Sequence, residues 1–74
     1  REIQLFNQML DECDENDIKI LEGIKYGAKN SEIADAIFMS DSTVKYKIAK
    51  MTKKAGVNSR EELSALLKRY GFKV

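Results

Sequence analysis

The sequence has no histidine, no proline and no tryptophan, and its one cysteine is Cys13. Without histidine the commonest general base of enzymes is missing, and with it any Ser–His or Cys–His couple. A lone cysteine excludes an internal disulfide, and the usual zinc ligand sets are also out of reach. Cys13 reads as a buried or linker thiol in a reducing cytoplasm. The lack of proline suits a chain built of helices. No apolar run approaches the roughly 18 residues that a membrane span needs, and no charged-then-apolar leader opens the sequence. The expectation is therefore no enzyme, no cofactor, no metal, no membrane partner and no small-molecule ligand. The chain opens on Arg1 rather than Met, which reads as a piece of something longer.

What remains is 74 residues that are 43% hydrophobic and 34% charged, enough for one small domain and too apolar for intrinsic disorder. The formal net charge of +1 averages two unlike parts. Residues 1–41 hold four basic against ten acidic side chains, a net of −6; residues 42–74 hold nine against two, a net of +7. Lys45, Lys47, Lys50, Lys53 and Lys54 follow one another with no acid among them. Such a block is commonly a solvated helix face, and it also suits a polyanion. The acidic first part is expected to turn its helix away from any such partner.

Apolar residues recur at helical spacing throughout, and no stretch alternates as a strand would. Ile3, Phe6, Met9 and Leu10 predict a short helix, or the tail of a linker, over residues 1–12. Asp14, with Asp17 three residues on, opens a run through Ile18, Leu21 and Ile24 that Gly27 ends. Asn30 or Ser31 is expected to cap the next helix, which buries Ile33, Ala34, Ile37 and Phe38. Ser40 caps a third, with Val44, Ile48, Met51 and Ala55 inward and Gly56 as its stop. Ser59 opens a fourth with Glu62 in the capping-box position, a stripe of Leu63, Leu66, Leu67 and Tyr70, and Gly71 as its stop. Tyr26, Phe38 and Tyr70 read as core or core-edge aromatics. The predicted fold is all-α, a compact four-helix bundle over residues 13–74.

Two helices joined by about three residues, with a small residue such as Ala34 where they cross, have the spacing of a helix-turn-helix. Wound as a helix, residues 42–54 turn Ser42, Tyr46, Ala49, Lys50 and Lys53 away from the core, with Lys45 at the edge and Thr43, Lys47 and Lys54 on a flank. A major-groove reader needs such a surface: cations for guanine edges and phosphates, small groups for close approach. Lys47, Lys50 and Lys54 stand at repelling spacings. Stability therefore does not account for them.

These residues resemble the LuxR-type (FixJ/GerE-type) DNA-binding domain of bacterial regulators. Ile18-Lys19-Ile20-Leu21 with Gly27 is similar to the family's first helix. Asn30-Ser31-Glu32-Ile33-Ala34 is similar to its N-x-E-I-A, and Ser40-Asp41-Ser42-Thr43-Val44-Lys45 to its S-x-x-T-V-K. Lys54-Ala55-Gly56-Val57 resembles K-L-G-V, and Ser59-Arg60-Glu61-Glu62-Leu63 opens a last helix as the family does. The likeness runs without a gap from about Cys13 to Phe72. The usual T-P-R-E start reads Asp14-Glu15-Asn16-Asp17, a common histidine is Lys47, and Ala55 replaces a leucine.

The resemblance implies a recognition helix over about 41–55 in the major groove of double-stranded DNA. Lys45, Tyr46 and Ala49 would face base edges; Asn30, Ser42, Thr43, Lys47, Lys50, Lys53 and Lys54 would face phosphates. It implies a homodimer on DNA through Glu61, Ala65 and Lys68, with RNA polymerase allowed as a further partner. Residues 1–12 would then connect to a preceding regulatory domain, as in a response regulator of a two-component system. Two other readings stay open: a module similar to sigma-factor region 4, and a helical interaction module whose basic face docks an acidic protein.

Overall fold

The computed structural model describes residues 2–72; Arg1 and Lys73, counted in the charge split, lie outside them. The described residues form five helices and no strand: α1 Glu2–Asp11, α2 Glu15–Lys25, α3 Asn30–Ile37, α4 Asp41–Lys54 and α5 Arg60–Tyr70. The all-α class and the helix-turn-helix, α3 and α4, are as the sequence predicts.

Local chemistry sets most helix ends. The Asp14 carboxylate accepts the Asp17 N–H at 2.8 Å and the Asp17 carboxylate accepts the Asp14 N–H at 3.1 Å, a reciprocal capping box. Ser40 Oγ accepts the Thr43 N–H at 3.2 Å, and Ser59 Oγ the Glu62 N–H at 3.1 Å. The Glu62 carboxylate reaches one residue further back than a capping box requires, to the Asn58 N–H at 2.9 Å. Each stop glycine has positive φ: 81° at Gly27, 77° at Gly56 and 73° at Gly71. At Gly56 the requirement is double, because an added Cβ would also stand 2.6 Å from Leu5 of α1.

The start of α3 corrects the sequence reading. Neither Asn30 nor Ser31 is the cap; both lie inside the helix, and Lys29 holds the N-cap position without a side-chain cap. The Glu32 carboxylate instead accepts the Lys29 N–H at 2.8 Å. Phe38 is the second correction. It follows the last residue of α3 with φ 59°, in the left-handed region, and this turns its ring outward to 94% exposure. A helical period extended through Phe38 would bury it, but the chain leaves the helix one residue earlier. Tyr26, in the segment after α2, is likewise exposed, whereas Tyr70 is half-buried.

One core joins all five helices. Val44, Ile48, Met51 and Ala55 are buried along α4, as are Ile33, Ala34 and Ile37 of α3 and Leu63, Leu66 and Leu67 of α5. Ile20 and Leu21 are fully buried, while Ile18 is only half-buried. Phe6 and Met9 of α1 are also in this core, and the Phe6 ring lies 5.7 Å from that of Tyr70. Burying side chains of this size stabilises by about 1.5–3 kcal/mol each, so α1 packs as part of the body. Gly23 lets α3 approach α2 closely, since a Cβ there would meet Ile33 at 2.6 Å. The result is a support on which α4 presents one whole side.

Candidate nucleic-acid interface

A buried stripe fixes the rotation of α4. With Val44 at 0% and Ile48 at 7% exposure, the residues between and opposite them must face outward. Lys45, Tyr46, Ala49, Lys50 and Lys53 are all exposed there, and Ser42 is exposed in the first turn. Thr52 joins the buried side, which the sequence pattern did not foretell. Its hydroxyl donates to the Ile48 carbonyl at 2.7 Å, so the polar atom is satisfied inside the helix.

At the amino end of α4 the Ser40 hydroxyl donates to Thr43 Oγ1 at 2.9 Å and lies 3.2 Å from Ser42 Oγ. Three hydroxyls thus cluster where the helix offers free N–H groups and the positive end of its dipole. An anion is favoured at such an end.

The two edges of α4 differ. Along one, Lys45, Ala49 and Lys53 border an open groove of about 610 Å³, closed on its far side by Asn30, Asn58 and Arg60. Among the described residues, Lys45, Lys50 and Lys53 enter no ion pair. Along the other edge, Lys47 Nζ lies 3.3 Å from the Asp17 carboxylate, and Lys54 is bonded to the Glu12 carboxylate. The contact with Lys54 holds the Glu12 carboxyl below its usual range, and the contact with Glu12 raises the Lys54 ammonium. Acids of the first part therefore reach the basic face instead of turning wholly away from it. They also offset the repulsion along α4, so two of the three lysines first set apart have a structural partner.

Cys13 sits between the edge of Lys47 and Lys54 and the core. Its thiol donates to the Met9 carbonyl at 3.2 Å and lies 3.8 Å from Met51 Sδ. Burial, aided by the nearby Asp17 and Asp14 carboxylates, pushes its pKa to about 11. Such a thiol is unreactive at neutral pH. Among the described residues no group of three or more acidic, cysteine or histidine side chains is placed to hold a metal. No helix there is long and apolar enough to cross a membrane.

Arg60 is the residue that sequence reasoning passed over. Its guanidinium donates to the Asn30 side-chain oxygen and to the Ala28 carbonyl, tying the start of α5 to the start of α3. Asn30 is thus engaged through its oxygen, and its amide N–H groups are what remain for a phosphate. On α5, Glu61, Ala65 and Lys68 are exposed. Ala65 also borders a shallow cleft of about 300 Å³ beside Val57 and Arg69.

The model of the bacterial regulatory proteins of the luxR family matches residues 15–67, from the first turn of α2 into α5. The chain belongs to this family. The match leaves α1 outside, although Phe6 and Met9 share the core of this LuxR-family domain. The chain is 33% identical over 73 residues to "Transcriptional regulatory protein LnrK" of Bacillus subtilis (strain 168). That alignment takes in 99% of the chain and 33% of the relative, so the chain spans about a third of the relative's length. No solved structure matches it. Family membership supports DNA-binding transcription regulation as the work of this domain.

Proposed function

We propose that this domain binds double-stranded DNA sequence-specifically, with α4 lying in the major groove. The observation that carries the reading is the outward side of α4, where Lys45, Tyr46, Ala49, Lys50 and Lys53 stand exposed without an acid among them. Lys45 reaches far enough to meet guanine O6 and N7, and Ala49 is small enough to let the helix approach a thymine methyl. Tyr46, 66% exposed, offers a ring and a hydroxyl to the same base edges. Ser42, Thr43, Lys50 and Lys53 serve phosphates, with Lys47, Lys54 and the Asn30 amide at the margins. These contacts fix position, and the base contacts select sequence.

The exposed Glu61–Ala65–Lys68 face of α5 would meet its copy across a two-fold axis, Ala65 allowing close approach. A dimer of this kind reads two half-sites about one helical turn apart or a multiple of it. Residues 1–12 would connect to a regulatory domain, α1 being docked on the DNA-binding body. The name of the B. subtilis relative supports a transcription regulator, and a cytoplasmic response regulator that engages RNA polymerase fits this arrangement.

Fluorescence anisotropy with labelled promoter duplexes tests the reading. Log affinity should fall linearly with log salt. Lys45→Ala and Lys50→Ala should each weaken binding about tenfold, within the range of one good base or phosphate contact. Undiminished binding by both variants, together with loss of binding on substituting exposed residues of α2, would place the interface elsewhere.

A further inference from the structure

The acids that pair with α4 do so on one edge only. Asp17 and Lys47 are mutually shielded, with side chains 16% and 24% exposed, and Glu12 holds Lys54 about two turns further along α4. The two carboxylates stand beside a cleft of about 220 Å³ whose other wall is Lys47, Lys50 and Lys54. A carboxylate bonded to a lysine ammonium presents the same charge and acceptor oxygens as a phosphate does. We infer that Glu12 and Asp17 are built-in competitors of DNA phosphates for Lys54 and Lys47, and so limit the domain's sequence-independent affinity. The inference rests on the DNA-binding reading and deepens it.

The consequence follows from ion exchange. A free lysine that neutralises a phosphate releases a counterion from the DNA. A lysine taken from a carboxylate leaves that carboxylate bare beside a polyanion, where it takes up a cation in turn. The two exchanges offset, so Lys47 and Lys54 add little to the salt dependence of binding. On the open edge Lys45 and Lys53 have no such partner among the described residues and contribute fully. Binding then leans on the side of α4 that faces base edges, and a generic phosphate wall gains less.

The test uses the full chain and a labelled duplex of scrambled sequence. Glu12→Gln removes a charge outside any helix, and Asp17→Asn keeps an acceptor for the Asp14 N–H, so both variants should still melt cooperatively, only slightly below wild type. Each should tighten binding about two- to five-fold at low salt, the scale of an exposed ion pair. Together they should steepen the slope of log affinity against log salt by up to about 0.9 for each lysine freed. Glu22→Gln supplies the same change in net charge at an acid with no ion pair among the described residues, and should give a smaller gain. In a Lys54→Ala background the gain from Glu12→Gln should vanish. An equal gain from Glu22→Gln, or one that survives in the Lys54→Ala background, overturns the inference and leaves DNA binding standing. Absence of duplex binding by the unsubstituted chain overturns both.

Discussion

The two edges of α4 are made of the same residue type and end in different states. Lys45 and Lys53 look onto an open groove, whereas Lys47 and Lys54 are held by Asp17 and Glu12. Counting lysines in the sequence treats all of them as free charge. The geometry separates charge available to a partner from charge already spent on the fold, and only the former argues for a polyanion. Family likeness and the open edge point the same way. The paired edge adds a restraint that neither composition nor net charge would reveal.

The largest effect should come from breaking the support beneath both edges at once. Val44 is fully buried under the face, so Val44→Asp places an unpaired carboxylate in the core. The cost is on the order of 4 kcal/mol or more, a large share of what a domain of this size has. A circular-dichroism melt should show no cooperative transition near the wild-type temperature. If the variant melts as wild type does, the rotation assigned to α4 is wrong and the two edges lose their meaning.

A smaller change should separate the edges. Arg60 bounds the open groove and bonds Asn30 and the Ala28 carbonyl. Arg60→Met keeps most of the unbranched apolar stem and loses both bonds, at about 2 kcal/mol for hydrogen bonds from a charged donor. Urea denaturation measures that loss. Amide exchange should quicken at residues 28–33, around the start of α3, and stay as it was at 14–18, beside the paired edge. Equal quickening in both segments would mean that the edges are not independently supported.

Much of this was legible in the sequence because it depends on short separations. The capping box at Asp14, the caps at Ser40 and Ser59 and the stripe from Val44 to Ala55 each span a few residues, where helix geometry leaves one outcome. The exposed side of α4 follows from the same winding. What could not be read there depends on distance or on one dihedral angle. The bonds from Lys47 to Asp17 and from Arg60 to Asn30 each join residues 30 apart, and Lys54 meets Glu12 across 42. Phe38 turns outward because φ becomes positive at one non-glycine residue, which periodicity cannot register. The apolar spacing of Phe6 and Met9 was visible, but its use in this core needed the placement of α1 against α4 and α5.

The smallest expected effect concerns pH at the paired edge. Glu12 has a folded pKa below 4.5 and Lys54 one above 10.5, each because of the other. A depressed carboxyl contributes stability that is present above its unfolded pKa and lost as pH falls through the folded one. A raised ammonium contributes stability that is present below its unfolded pKa and lost as pH rises through the folded one. The pair therefore stabilises fully within a window from about 4.5 to about 10.5, and its contribution is lost progressively as pH moves past either limit through the folded pKa values. Both groups are solvent-exposed, so the effect is small and salt-sensitive. Subtracting the urea midpoint of Glu12→Gln from that of wild type should give a low plateau across the window, falling toward zero on both sides. A difference that keeps its plateau value down to the acid limit of folding would have to come from packing by Glu12 rather than from its charge, and the edge would then be paired in geometry alone.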